Sequence, residues 1–385
     1  MDLDDTNALT TVVAYDRRRT PRASIGGALA TLAFGLVTAE AGAATLFVAN
    51  TGSDGPSCGT MAAPCRTISQ GVAVAADGDR IVVQPGVYGD VDGDGEFVSA
   101  GDEPAEYDGG CNCLVSVDKS VSIVSQGGAG ATTLRGAVDG LIAVNISAPG
   151  VVLGKKKQGF SIVGDPQHDG YGLWVGAAAP GARIEGNVFS RLETAVFVAG
   201  SGAKVFGNRI AQTITHGIYS EGEGIRIAAN VVEQTGTFGG NDSAIHVVGT
   251  AGAGHTIEGN LVVGNFNLGI FVVDGSSMAA GAAHVVRQNL VVGNGRVGIK
   301  VALAADSRAA TVVENSIYNN DNMSGANCGL LTLSAGPVID ATNNFWGTAG
   351  GPGANPSDDV CTAGTPPNVG SPAATAFAIV APPMR

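Results

Sequence analysis

Tyr219, His246, Lys300 and Arg296 are residue types that can move a proton next to a carboxylate. A phenol gives a proton to a leaving oxygen, an imidazole or amine takes one, and a nearby cation holds the carboxylate while charge builds. Their placement is periodic. Tyr219, His246 and Lys300 hold the same place in the segments GIYS, AIHV and GIKV, and Arg296 stands just ahead of the last. Trp174, Phe197 and Phe271 hold that place in GLWV, AVFV and GIFV. Written as a column, Ile142, Trp174, Phe197, Tyr219, His246, Phe271, Lys300 and Leu331 alternate with apolar neighbours, so the column should face outward. It is nonetheless largely aromatic in a chain with 5% aromatic residues. An outward apolar stripe marks a surface in use, and aromatic rings suit the C–H faces of sugars. The bland alternative is that the C-terminal segment TPPNVGSPAATAFAIVAPPM, or another subunit, covers it.

The elements that must position this column are themselves repeats. HTIEGNLVVGNFNLGIFVVDG at 255–275 and HVVRQNLVVGNGRVGIKVALA at 284–304 agree at ten of 21 positions with an offset of 29 residues. A strand ends at an asparagine again and again: Asn187, Asn208, Asn230, Asn260, Asn289 and Asn315, with Asn344 as a seventh. Period-2 alternation at repeats of 21 residues or more, with no helical pattern between, predicts an all-β solenoid in which each repeat is one rung. Equivalent positions then lie about 4.8 Å apart, which puts Tyr219 and His246 on adjacent rungs with Lys300 two rungs beyond His246. Ile184, Val205, Ile227, Ile257, Val286 and Val312 form one inward column, and Val196, Ile218, Ile245, Ile270 and Ile299 another. The asparagines read as structural, because this side chain tolerates left-handed turns and bonds local backbone.

Composition agrees with many short strands. The chain has 385 residues, 59 glycines, 44% hydrophobic and 14% charged content, which fits a large buried core and argues against a helical bundle. A formal charge of −13 with no basic patch interleaved with aromatics excludes nucleic acid as the expected partner. Residues 1–43 combine Arg17, Arg18, Arg19 and Arg22 with an apolar run from Ile25 to Val37 and the small residues Ala41, Gly42 and Ala43. This pattern is that of a secretory signal peptide, and no later segment could span a bilayer. The expected localisation is therefore secreted, periplasmic or cell-surface. Six cysteines then predict disulfides. Cys328 bracketing the last repeats with Cys361 makes that pair the natural one. Cys58, Cys65, Cys111 and Cys113 stay unassigned, except that Cys111 and Cys113 sit too close on an extended strand to bond easily. A CxC zinc site lacks further ligands at the usual spacing.

One stretch has metal spacing. In GDVDGDGEFVSAGDE, Asp90, Asp92, Asp94 and Gly95 match positions 1, 3, 5 and 6 of a calcium loop, with Glu96 beside them. Position 12 is Gly101, and Asp102 falls one residue late, so the pattern is incomplete and Ca2+ competes with a solvated acidic loop. His255 and His284, stacked at the start of their strands, read as packing groups.

These rungs resemble the right-handed parallel β-helix repeats of the pectate lyase type over residues 115–350. TLFVANTGSDGPSCGTMAAPCRTISQGVAVAADGDRIVVQPGVY is similar to the opening of many exported β-helix proteins, with a first strand, a short capping helix and a "PGxY" strand. NNFWGTAGGPG resembles their last rung. The resemblance implies a short N-terminal capping helix, a cap over 44–114 with an acidic insert at 89–110, and a tail over 351–385. It also implies extracellular or cell-wall polysaccharide as partner. Enzymes of this kind would be lyases or C5-epimerases on uronic-acid glycans, and a non-catalytic surface solenoid is the alternative. GDPQHDG, with Asp165, His168 and Asp169, resembles the DPH motif of mannuronan epimerases, but the inserted glutamine breaks it. The aspartate set of galacturonases is absent, which disfavours hydrolysis by paired carboxylates.

Overall fold

A computed structural model describes residues 42–104, 111–137, 140–164, 170–236, 240–249, 252–274, 283–305, 307–321, 325–333 and 337–370. Among the described residues, strands pair only in parallel, in a ten-stranded sheet and a seventeen-stranded sheet. Each rung contributes a strand to three faces. Arg183–Glu185 and its equivalents build the first face, which is the ten-stranded sheet. Leu261–Val263 and its equivalents build the second. Leu268–Asp274 and its equivalents build the third, which carries the stripe. The second and third faces merge into one sheet because Val188–Val198 and Arg209–Ser220 run through the corner between them. The parallel β-helix expected from the repeat is therefore the fold. Among the described residues no helix is long and apolar enough to cross a membrane.

Three inward columns fill the core. The two anticipated columns are fully buried, and Phe189, Ile210, Val232, Val262, Val291 and Ile317 add a third on the middle face. β-Branched side chains dominate because they pack well on a pleated surface. The capping helix is Ile68–Val74, with Thr67 accepting from the Gln70 amide at 3.1 Å. It lays Ile68 and Val72 over one end of the stack, and Trp346 is buried near the other.

The first corner of each rung is held by the asparagine column. Asn260 is typical. Its amide N–H donates to Asn289 Oδ1 at 3.0 Å, and its Nδ2 donates to Ile227 O at 3.0 Å and Asn289 Oδ1 at 2.9 Å. Its own Oδ1 accepts from Asn230 N at 2.9 Å and Nδ2 at 3.0 Å. The left-handed residue is the one before each asparagine, as at Gly186, Gly207, Ala229, Gly259, Gln288, Glu314 and Asn343. The asparagine itself is the buried staple between rungs.

A second corner repeats the device and was not foreseen. Left-handed Gln212, Gln234, Gly264, Gly293 and Asn319 precede Thr213, Thr235, Asn265, Asn294 and Asn320. Thr213 Oγ1 meets Thr235 Oγ1 at 2.9 Å, and the Thr235 amide donates to Asn265 Oδ1 at 3.0 Å. Asn265, Asn294 and Asn320 continue the series, which ends on Asp358. Burial pushes that carboxyl up to about 6, against the bonds Asn320 donates.

All six cysteines are paired, Cys58 with Cys65, Cys111 with Cys113, and Cys328 with Cys361 as expected. The Cys111–Cys113 bond corrects the sequence-based argument. The strand begins only at Cys113, and Asn112, whose Nδ2 donates to Gly140 O at 2.7 Å, bends the chain and holds the two Cα atoms 5.2 Å apart.

Two stability outcomes follow from the corners. Asn260→Ala strands buried donors on Asn230 and a buried carbonyl on Ile227, and should cost roughly 3 kcal/mol or more in urea unfolding. Ala229→Gly relieves a left-handed alanine at φ 54° and should raise stability by about 0.5–1 kcal/mol in the same assay.

Candidate functional site: the outer column of the third face

Strand register places Ser116, Asn145, Trp174, Phe197, Tyr219, His246, Phe271, Lys300, Leu331 and Cys361 in one column. From Trp174 to Leu331 this is the column read from the sequence. At Ile142 the expectation fails, since Ile142 pairs with Tyr171 and it is Asn145 that lies beside Trp174. The small, apolar, outward triplet that marks each rung is Ala143, Val144 and Asn145, and Gly140, Leu141 and Ile142 mimic it three residues too early.

The rings stack on one another. Trp174 and Phe197 lie 3.7 Å apart and Phe197 and Tyr219 5.3 Å apart, both pairs 13° from coplanar. Faces are therefore spent within the column, and edges point outward. His246 follows at 4.9 Å from Tyr219 and 4.6 Å from Phe271. His246 and Phe271 are buried. Lys300 Nζ sits 4.4 Å over the Phe271 ring and donates to Asn241 Oδ1 at 2.8 Å. That contact brings residue 241 across the buried part of the stripe. The C-terminal segment runs elsewhere as far as it is described, pairing Asn368 with Asp340 beyond the first face, and residues 371–385 lie outside the described residues.

His216 joins the cluster, with ring centroids 5.2 Å from Tyr219 and 5.0 Å from His246, and its Nδ1 accepts the Ser243 amide at 3.2 Å. Sequence reading missed it because it precedes Gly217, where each rung turns into its last strand. Its only signal was rarity, as one of five histidines. Both His246 ring nitrogens are buried with no hydrogen-bond partner. Burial, then His216 and Lys300, drive its pKa down to about 3, so the ring is neutral at physiological pH. Burial raises the Tyr219 phenol, and burial with Arg296 lowers the Lys300 ammonium. Tyr219 and His246 are neighbours, whereas Lys300 lies three rungs from Tyr219, about 14 Å at the backbone. Arg296 is exposed, with its amide donating to Asn267 O at 3.0 Å.

In the acidic insert, carboxylate oxygens of Asp90, Asp92 and Asp102 lie within 4.8 Å of one another, while Asp94 and Glu96 do not join them. Asp90 accepts from the Gly93 amide and, at 3.0 Å, from Gly95; Asp102 accepts from Val91 and Ser99 at 2.9 and 2.7 Å. These bonds hold Asp90 and Asp102, and the exposed Asp92 brings a third hard oxygen of the kind Ca2+ takes within reach of theirs. Next door, Glu103 ties the insert to the capping helix through Ile68 N, Ser69 N and Ser69 Oγ, and burial pushes its carboxyl up to about 7.

His255 and His284 are buried and stacked at 5.2 Å, and His284 Nε2 is 2.8 Å from Asp274 Oδ1. Asp165, His168, Asp169 and the basic leader fall outside the described residues.

Residues 171–346 match the family described as "Right handed beta helix region". No curated protein matches. Among solved structures, a rhamnogalacturonan lyase superposes with a TM-score of 0.55 at 11% identity, covering 86% of each chain. The A-module of mannuronan C-5 epimerase AlgE4 from Azotobacter vinelandii gives 0.47 at 15% identity over 77% of this chain and 90% of that one. Dettilon tailspike protein gives 0.49 at 15% over 83% and 68%. The repeat match over residues 171–346, the parallel three-faced rungs and the lyase superposition give the chain the right-handed parallel β-helix fold.

Proposed function

We propose that this chain is an exported β-helix protein that binds acidic polysaccharide along the third face, with Lys300 and Arg296 holding carboxylates and the edges of Trp174, Phe197 and Tyr219 flanking the polymer. The observation that carries this reading is the cationic end of the column. Lys300 is fixed by Asn241 and the Phe271 ring, and Arg296 stands exposed beside it. A held cation contacts a carboxylate at lower entropic cost than a free one. The superposed lyase, named for a polysaccharide, supports the same class of partner. Export is supported by three disulfides and the leader-like start.

Binding is favoured over catalysis by the placement of the four groups. The His246 nitrogens are sealed, and Tyr219 and Lys300 are too far apart to serve one sugar ring. One observation supports the second reading, a lyase or C5-epimerase. The lowered Lys300 pKa is what a base abstracting the C5 proton needs. We assign Asp90, Asp92 and Asp102 to a structural Ca2+ that would neutralise three converging carboxylates and fix the insert.

Polygalacturonate should bind the parent, and Lys300→Ala with Arg296→Ala should weaken that binding about tenfold, given two partly exposed ionic contacts. Incubation with a panel of uronic-acid polymers should give no ultraviolet absorbance from unsaturated products. Product that disappears in the Lys300→Ala variant would establish the lyase reading instead, whereas loss of both binding and chemistry in the parent would end both. For the insert, millimolar Ca2+ should raise the melting temperature of the parent and not of Asp92→Asn; equal responses would remove the calcium assignment.

A further inference from the structure

Among the described residues, the first face carries a line of positive charge separate from the stripe. Arg183 pairs in register with Lys204, and Lys204 with Arg226, so three cations stand on three successive rungs. Adjacent strands in a sheet are about 4.8 Å apart, so the cations form a line along the stack. Ser122 and Val152 precede them in that column and Thr256, Val285 and Thr311 follow, so the first acid of the column is Asp340, four rungs beyond Arg226. At the corner of the rung before Arg183 sit Lys155, Lys156 and Lys157, all exposed. The Lys156 amide donates to Glu185 Oε1 at 3.2 Å, which fixes this run against the start of the line. Four of the six lysines in the chain, Lys155, Lys156, Lys157 and Lys204, thus gather on one patch, and the other two are Lys119 and Lys300.

The acids paired with these arginines are sunk beneath them. Glu185 accepts from Arg183 Nε at 2.8 Å, and its side chain is 11% exposed against 44% for the arginine. Glu258 accepts from Arg226 at 2.7 Å and Arg287 at 2.9 Å, and is 12% exposed against 52% and 47%. Two carboxylates orient three guanidiniums and leave them projecting, so solvent meets an excess of cations. Exposed pairs of this kind add little stability, and a chain of formal charge −13 has no electrostatic need to gather cations here.

We propose that the first face is a second binding surface, on which a linear anionic polysaccharide lies along the helix axis with carboxylates against Arg183, Lys204 and Arg226 and a further one at Lys155–Lys157. One cation per rung matches a polymer that repeats one charge per sugar, and a regularly spaced line selects a regular polyanion over a compact one. The polymer class rests on the reading of the third face, but the residues are different and lie on a different sheet.

The test uses full-length protein and affinity electrophoresis in gels holding polygalacturonate or neutral dextran. Lys156→Glu with Lys204→Glu replaces two exposed side chains that contribute no side-chain ion pair among the described residues, so the melting temperature should be unchanged. Retardation by polygalacturonate should fall about tenfold and the remainder should fade with added salt, as for exposed ionic contacts. Lys204→Arg should retain binding. The proposal is overturned if the double reversal binds like the parent, if dextran retards the parent equally, or if the parent ignores polygalacturonate. Should Lys300→Ala with Arg296→Ala keep full affinity while the reversal loses it, the third-face reading fails and this one stands.

Discussion

The fold depends on satisfying backbone and side-chain hydrogen bonds at corners that are buried. A parallel solenoid must turn its chain sharply between faces, and a turn closed inside the stack cannot use water. Here the cost is met by passing each corner's needs to the next rung. Asn260 takes two bonds from Asn230 and gives two to Asn289, so every asparagine is donor and acceptor at once. The rungs are therefore locked in register, and the register alone creates the columns on the outer faces. A one-rung slip in this series would break up the ring stack and the cation line together.

That dependence explains what was legible in sequence. The asparagine before each middle strand kept its identity from Asn187 to Asn344, so the rung count and both anticipated core columns could be read directly. The second corner changes residue type along the stack, from Thr213 and Thr235 to Asn265, Asn294, Asn320 and finally Asp358, and sequence similarity does not flag a position whose chemistry is shared but whose letter is not. Ile142 went astray because no corner asparagine fixes the frame upstream of Asn187. Cys111 and Cys113 pair because Asn112 bends the chain, a local conformation that spacing alone does not reveal.

The candidate site was legible as a list and not as a geometry. Alternation put Trp174, Phe197, Tyr219, His246, Phe271 and Lys300 on one outward line, and register agrees. Alternation cannot say which way a ring turns. The strand spacing of about 4.8 Å is close to the separation of stacked rings, so neighbouring rings in a parallel stack satisfy each other's faces before any ligand arrives. The same closeness, with His216 and the reach of Asn241 added, seals the His246 nitrogens that the sequence offered as a base. Outwardness on a strand is a statement about Cβ, while reactivity depends on the atoms beyond it.

Charge behaves differently from aromatic rings in the same lattice. Stacked rings attract, so a ring column closes on itself; stacked cations repel, so a cation column stays open unless something anionic divides it. On the first face Glu185 and Glu258 lie to the side and below, enough to orient the arginines without covering them. A parallel β-helix thus converts one residue per rung into either a sealed or an open line according to whether like side chains attract or repel. By that criterion the line open to a polymer is the row of cations on the first face, not the ring stack of the third.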